Sequence, residues 1–247
     1  MAKLGAVLGG ILGLSLGALL GSGAAAPVVL PTDYPNLICW IDQSDPATVT
    51  EVLGVVSNIA DKSGSGNDAS QVVVGLRPVL TGAQIGPIDV LVYDTDVLEI
   101  PALVSLNYTV FNVINSDDFS SNESAIVGGL TGSLLIRIND TPSNIVQVVN
   151  SNQSVKLNGS VNLSTGTSYV ITVTSGTVGS EIFINGVSDT SNAVDANYTA
   201  GITTFGSSSA GGSRPFHDRM GELVVYSDIK TPTVISDVNG YYGRYGV

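Results

Sequence analysis

Carboxylates are the residues of this sequence best suited to chemistry, and the tightest group is Asp94-Thr95-Asp96 with Glu99 close behind. Two acids flanking a glycosidic bond can hydrolyse it when both project to the same side. On a strand Asp94 and Asp96 share one face and Glu99 takes the other. No Glu-x-Asp-x-Glu run occurs, and Glu181 and Glu222 stand singly at the starts of expected strands. This pattern disfavours catalysis, and no residue is nominated as catalytic. His217 is the single histidine, so a Ser-His-Asp triad would have to use it, and no G-x-S-x-G elbow accompanies it. Cys39, the single cysteine, lies in the apolar run Leu37-Ile38-Cys39-Trp40-Ile41 and reads as a buried thiol. It has no partner for an internal disulfide or a cysteine metal cluster.

Binding is the other chemistry these residues allow. Hard oxygen ligands suit Ca2+, and Asp42 with Asp45, Asp94 with Asp96, and Asp117 with Asp118 are the nearest pairs. None has EF-hand spacing and turns account for each pair, so a structural Ca2+ has no nominated ligands and no other cofactor is expected. A sugar site needs a ring beside Asn or Asp, and the available rings are Tyr93, Tyr108, Tyr198, Phe216 and the Tyr241-Tyr242 pair. A polar tract at 115–122 and a serine-glycine loop at 207–213 supply a rim. The candidate glycan-rim residues are Asn115, Asp117, Asp118, Ser207 and Phe216. Asn-x-Ser/Thr triplets recur, among them at Asn107, Asn158 and Asn162, and would be glycan acceptors only in a eukaryotic secreted protein.

The elements that would carry these residues are short strands. Beyond residue 36, β-branched runs alternate with Gly, Asn, Asp and Ser clusters, the texture of an all-β sandwich or barrel. Strands are expected at 37–41, 71–74, 89–92, 108–114, 124–128, 133–138, 144–149, 153–157, 168–174, 180–184, 201–205 and 221–226. Asn185-Gly186 marks a hairpin because both residues tolerate positive φ. A closing helix is expected over 231–245, with Pro232 in its first turn. The fold class is therefore a two-sheet jelly-roll sandwich over 37–247, with a short C-terminal helix. A formal charge of −12 with nine scattered basic residues excludes a nucleic-acid footprint.

Several stretches resemble the concanavalin A-like, laminin G-like jelly rolls of phage structural proteins and microbial surface proteins. They are Cys39-Trp40-Ile41-Asp42-Gln43-Ser44-Asp45, the loop Asp61-Lys62-Ser63-Gly64-Ser65-Gly66-Asn67-Asp68-Ala69 and the hairpin Ile182-Phe183-Ile184-Asn185-Gly186. Arg214-Pro215-Phe216-His217-Asp218, Gly221-Glu222-Leu223-Val224-Val225-Tyr226 and the ending Tyr241-Tyr242-Gly243-Arg244-Tyr245-Gly246 complete the likeness. Ile59-Ala60 stand where the family usually has a tryptophan before its D-K-S-G loop. The D-K-S-G residues read as a turn and Trp40 as core. A shared fold does not transfer a function.

Residues 1–26 carry a four-residue beat of Leu-Gly, with glycines at Gly5, Gly9, Gly13, Gly17 and Gly21, before a proline-rich linker at 27–36. As a helix, 4–26 would reach about 35 Å, enough for a hydrocarbon core of about 30 Å. Glycines four apart form a slowly drifting stripe for close helix packing. Each costs about 0.8–1 kcal/mol against alanine, so such a helix needs a bilayer or copies of itself. The leading expectation is a non-enzymatic virion protein of a bacterial virus, held by this helix. Its partners are other virion proteins or its own copies, a membrane, and a host glycan, with the jelly roll displayed for capsid decoration, assembly or host attachment. The alternative is a secreted or cell-surface carbohydrate-binding module whose first residues are a cleaved signal peptide.

Overall fold

β-Branched runs punctuated by glycine and asparagine turns become strands throughout the computed structural model. It describes residues 28–119, 124–129, 133–139, 144–149, 154–193, 198 and 200–247. The glycine beat from Gly5 to Gly21, and with it the expected N-terminal helix, lies outside the described residues. No helix among the described residues is long and apolar enough to cross a membrane.

In chain order the first strands are β1 (Leu37–Ile41), β2 (Val49–Val52), β3 (Val55–Ile59), β4 (Ala69–Ser70), β5 (Val79–Ile85) and β6 (Ile88–Tyr93). There follow β7 (Leu98–Leu103), β8 (Tyr108–Asn115), β9 (Ser124–Gly128), β10 (Leu135–Asn139), β11 (Ile145–Val149) and β12 (Val155–Asn158). The last are β13 (Ser168–Gly176), β14 (Gly179–Ile184), β15 (Val187–Asn192), β16 (Ile202–Phe205) and β17 (Asp218–Tyr226), before the helix α1 (Pro232–Tyr242). Sheet A runs β15-β14-β13-β8-β17-β6-β5, with β1 also paired to β17, and sheet B runs β12-β11-β10-β9-β16-β7-β4-β3-β2. Every pairing is antiparallel, and the chain crosses repeatedly between sheets, as a jelly roll does.

One apolar layer joins the sheets, with Ile114, Ile171, Val173 and Ile182 of sheet A meeting Ile126, Ile136, Val146 and Val148 of sheet B. A second layer lies on the outer face of sheet A. There Val113, Val170, Phe183 and Val224 are covered by Ile235, Val238, Tyr241 and Tyr242 of α1 and by Tyr245. Covered on both sides, β8 is buried at every position instead of alternating. Thr231 caps α1 by accepting the Val234 N–H, and Pro232 opens it. The helix stops at Tyr242 and a 3-10 turn, Gly243–Tyr245, finishes the stretch expected as one helix.

Two further differences have local causes. The expected strand at 71–74 does not form: Gln71 Oε1 accepts the Val73 N–H, Arg77 Nε donates to Gln71 O, and Val74–Leu76 is a 3-10 turn. These bonds curl the backbone away from a sheet, leaving Val72 82% exposed despite its β propensity. The proline-rich stretch is packed onto the domain where it is described. Tyr226 OH donates to Pro31 O, and Tyr34 OH donates to Asp237 at 2.6 Å, a bond that pushes the phenol pKa up to about 12.

Candidate functional site

Four of the stretches that carry the family likeness, 39–45, 61–69, 221–226 and 241–246, converge on one place, and what they build there is a clasp. Asp61 Oδ1 accepts the N–H groups of Trp40 and Ser63, and Oδ2 accepts Ser63 Oγ and the Asn67 N–H. Gly64 and Gly66 take positive φ in that turn, and Asn67 Nδ2 donates to Ile38 O at 2.6 Å. Lys62 pairs with Asp42 and Asp45 and lies 4.6 Å over the Trp40 ring. At the centre, Glu222 is wholly buried. It accepts Trp40 Nε1 at 3.0 Å, Tyr241 OH at 3.0 Å and Tyr245 OH at 3.2 Å, and pairs with Arg244. Glu222 stands mid-strand in β17, not at a strand start, beside an irregularity in the pairing with β8 between Met220 and Leu223. Asn112 Nδ2 donates to Gly221 O and Glu222 O there, which satisfies the disrupted ladder. The Glu222 and Asp61 carboxylates are engaged by the protein itself, and these bonds hold the fold.

The expected glycan rim is brought together only in part. Asn115, Asp117 and Asp118 lie at one end of the sandwich, where Arg219 donates to Asn115 Oδ1 and Asp218 Oδ1 and pairs with Asp117. The other two residues depart from expectation. Ser207 is buried and donates its hydroxyl to Ser209 O and Ser213 O, which turns it into the loop instead of onto a rim. Phe216 is wholly buried with its N–H on Gly206 O. Gly206 is required at that corner: a Cβ there would come within 2.2 Å of the Tyr93 ring.

The expected aromatic platform is a clear correction. Every tryptophan, tyrosine and phenylalanine of the sequence is described, and all are buried except Tyr34 and Tyr169, which are half-buried. Tyr93, Tyr108, Tyr198, Tyr241 and Tyr242 all stack within the core layers. Tyr93, Tyr108, Tyr198 and Phe216 are spent on the layer between the sheets, and Tyr241 and Tyr242 on the cover over sheet A.

The acidic pairs are likewise engaged. Asp94 and Asp96 sit in a turn after β6, not on a strand, with Asp96 Oδ2 accepting the Asp94 N–H. Burial raises the Asp96 pKa. His217 Nδ1 faces Asp94 Oδ1 at 3.4 Å. Asp42 is held by Lys62 and Arg244, and Asp117 by Arg219. No group of three His, Cys, Asp or Glu able to hold a metal ion occurs among the described residues. Burial raises the pKa of the Cys39 thiol well above its ordinary value, and Asp61 and Asp68 add to the effect.

The outer face of sheet B presents a different arrangement. Ile136 and Ile138 of β10 and Val146 and Val148 of β11 point into the core, so Arg137 and Gln147 project outward. Register aligns Arg137 with Gln147, and Gln147 with Asn158 of β12. Arg137 Nε donates to Gln147 Oε1 at 2.8 Å, and Gln147 Nε2 donates to Asn158 Oδ1 at 2.7 Å. Leu135, Val149 and Ala125 form a small apolar cluster on the same face. Arg137 and Gln147 are each 6% exposed and Asn158 is exposed, so the row runs from an open edge into a buried end. Sequence reasoning missed this row. Its signal was a lone polar residue in each of two apolar runs, LLIRI and IVQVV.

No protein-family model matches the chain, and no curated protein is similar to it in sequence. Solved structures share its fold. Domain 4 of an extracellular arabinanase from Geobacillus stearothermophilus, in complex with arabinotriose, is 15% identical with a TM-score of 0.60, over 83% of this chain and 98% of that one. The ligand-binding domain of botulinum neurotoxin serotype D, in complex with N-acetylneuraminic acid, is 18% identical with a TM-score of 0.57. That match covers 84% of this chain and 51% of the toxin domain. Trypanosoma rangeli sialidase is 11% identical with a TM-score of 0.60, over 92% of this chain and 35% of the enzyme. At these identities the likeness defines the class, an all-β two-sheet jelly-roll sandwich, and nothing finer.

Proposed function

We propose that this chain is a non-catalytic carbohydrate-recognition module of a secreted or cell-surface protein, and that it binds a glycan along the outer face of sheet B. The observation that carries the reading is the cross-strand row Asn158–Gln147–Arg137. Amide and guanidinium groups held at fixed spacing suit the vicinal hydroxyls of a sugar, and holding them in advance lowers the ordering cost of binding. A ligand meets the row at its exposed Asn158 end, since Gln147, Arg137, Leu135, Val149 and Ala125 are buried. The arabinotriose and N-acetylneuraminic acid complexes of the structural neighbours support the ligand class. The engagement of Asp94 and Asp96 in a turn supports binding over hydrolysis.

Display on a virion, through the segment of Gly5 to Gly21 packed in a membrane or against its own copies, is a further placement of the same module, and its support is the sequence alone. The recognition reading is tested by glycan-array binding of the full chain beside Gln147→Leu and Asn158→Ala. Binding to oligosaccharides that weakens at least about tenfold in both variants is expected, since each removes a hydrogen-bonding group from the ligand. Silent arrays, or unchanged binding in both variants, would overturn it.

A further inference from the structure

We propose a second ligand site on the opposite sheet, a pocket for a single sugar ring that carries no acidic group. The pocket lies on the outer face of sheet A beyond the reach of α1 and holds about 150 Å3, room for roughly five waters at ~30 Å3 each. Its existence follows from where the helix starts. α1 covers the part of the β13–β14 hairpin near Gly186, whose position beside Asn239 marks that contact, and leaves the opposite end open.

The floor is a single register row across three strands. Thr174 of β13 opposes Glu181 of β14, and Glu181 opposes Ser191 of β15. Thr174 projects outward because Val173 and Ile171 occupy the core. Thr174 as a residue is only 5% exposed, and its hydroxyl has no hydrogen bond among the described residues. Glu181 gives Oε1 to the Ser188 hydroxyl at 2.6 Å, and Oε2 is left without a bond among the same residues. The Ser191 hydroxyl is likewise unbonded. A nearly buried hydroxyl without a partner is costly in a pocket unless something fills it. Thr174 is that group here, and the half-buried Glu181 carboxylate and the exposed Ser191 hydroxyl line the same small space beside it.

Two aliphatic walls complete the site, and both are fixed. Ile229 is held where Thr109 Oγ1 donates to Asp228 O and accepts the Lys230 N–H. Val178, 73% exposed, rides on the hairpin tip, where Asn107 Oδ1 accepts the Thr177 N–H. Gly179 brings that tip against the β15 end: at φ +127, a Cβ there would meet Asn192 O at 2.1 Å. Carboxylate and hydroxyls below with aliphatic C–H contacts on two sides match the edge and faces of a pyranose ring.

The electrostatics select among rings. Glu181 is the charged residue in the lining, no lysine, arginine or histidine joins it, and the chain carries a net charge of −12. An acidic sugar would meet a carboxylate with no compensating cation, so neutral and amino sugars are accepted and sialic or uronic acids rejected. The site is independent of the sheet B row, and either can fail without the other.

The test is an amide NMR titration of the full chain. The probes are methyl glycosides of glucose, galactose, mannose and N-acetylglucosamine, with N-acetylneuraminic acid as the anionic probe. Saturable shifts confined to the amides around Gly179, Ser191 and Asn192 are expected with at least one neutral glycoside, at roughly millimolar Kd for so small a ligand. None is expected there with N-acetylneuraminic acid. Glu181→Gln should weaken the response at least tenfold, and Val178→Trp, at an exposed position that spares the fold, should abolish it by filling the space. Gln147→Leu should leave it unchanged, which separates this site from sheet B. No response to any neutral glycoside, equal response to the acid, or an unaltered titration in Val178→Trp would overturn the proposal.

Discussion

Glu222 shows how one side chain can organise this protein. A wholly buried carboxylate is tolerable only when every oxygen lone pair is used, and here Trp40, Tyr241, Tyr245 and Arg244 use them. Glu222→Ala removes the anion and leaves those donors without it, so a loss of about 3–5 kcal/mol is expected from urea unfolding. Trp40→Phe deletes one donor and should cost about 1–3 kcal/mol. A Glu222→Ala chain as stable as the parent would contradict the clasp. Cys39 gives a second check at this scale. Its buried, pKa-raised thiol should be silent to a thiol reagent in the native protein and titrate as one thiol per chain in denaturant. Rapid labelling of the native state would show that β1 is not packed as described. Trp40 and Asp61 were readable from sequence as core and turn, because an apolar strand and a Gly-rich loop constrain residues locally. Ser207 and Phe216 were not, since their burial depends on a loop folding back onto Tyr93 and Gly206.

At the scale of elements, the loop after β3 is tied to the end of β1 by charge. Asp45 has its pKa lowered, first by the Lys62 hydrogen bond and then by the Ala47 N–H. Its contribution is present above the unfolded value near ~3.9 and is lost as pH falls through the lower folded one. For Lys62, burial pulls the pKa down, but the bonds to Asp42 and Asp45 prevail and raise it. Its contribution is present below ~10.4 and is lost as pH rises through the higher folded value. Lys62→Met should therefore cost about 1 kcal/mol at neutral pH, and less at both pH extremes, where the wild type has already lost the pairs. A stability difference independent of pH would contradict this. Strands such as β8, β13 and β14 were legible because β-branched runs mark them. The run at 71–74 misled because Gln71 and Arg77 bond the local backbone, a choice that propensity does not record. The row Asn158–Gln147–Arg137 needed register between strands, which no local pattern supplies.

Across the whole molecule the two outer faces have separate tasks. α1 and its aromatic layer cover one part of the outer face of sheet A, and the family-like stretches around Trp40, Glu222 and Tyr241–Tyr245 close that cover. Sheet B carries on its outer side a polar row that is open at Asn158 and buried at Gln147 and Arg137, beside the buried Leu135, Val149 and Ala125. The fold class was legible from strand texture, while the polar row was not, because it depends on the register of three strands. The most direct measurement is calorimetric titration of the full chain with the strongest oligosaccharide found on an array, repeated with Asn158→Ala and Gln147→Leu. The account predicts saturable binding that falls at least about tenfold in each variant, with folding unchanged by circular dichroism. Full-strength binding in both variants would contradict it.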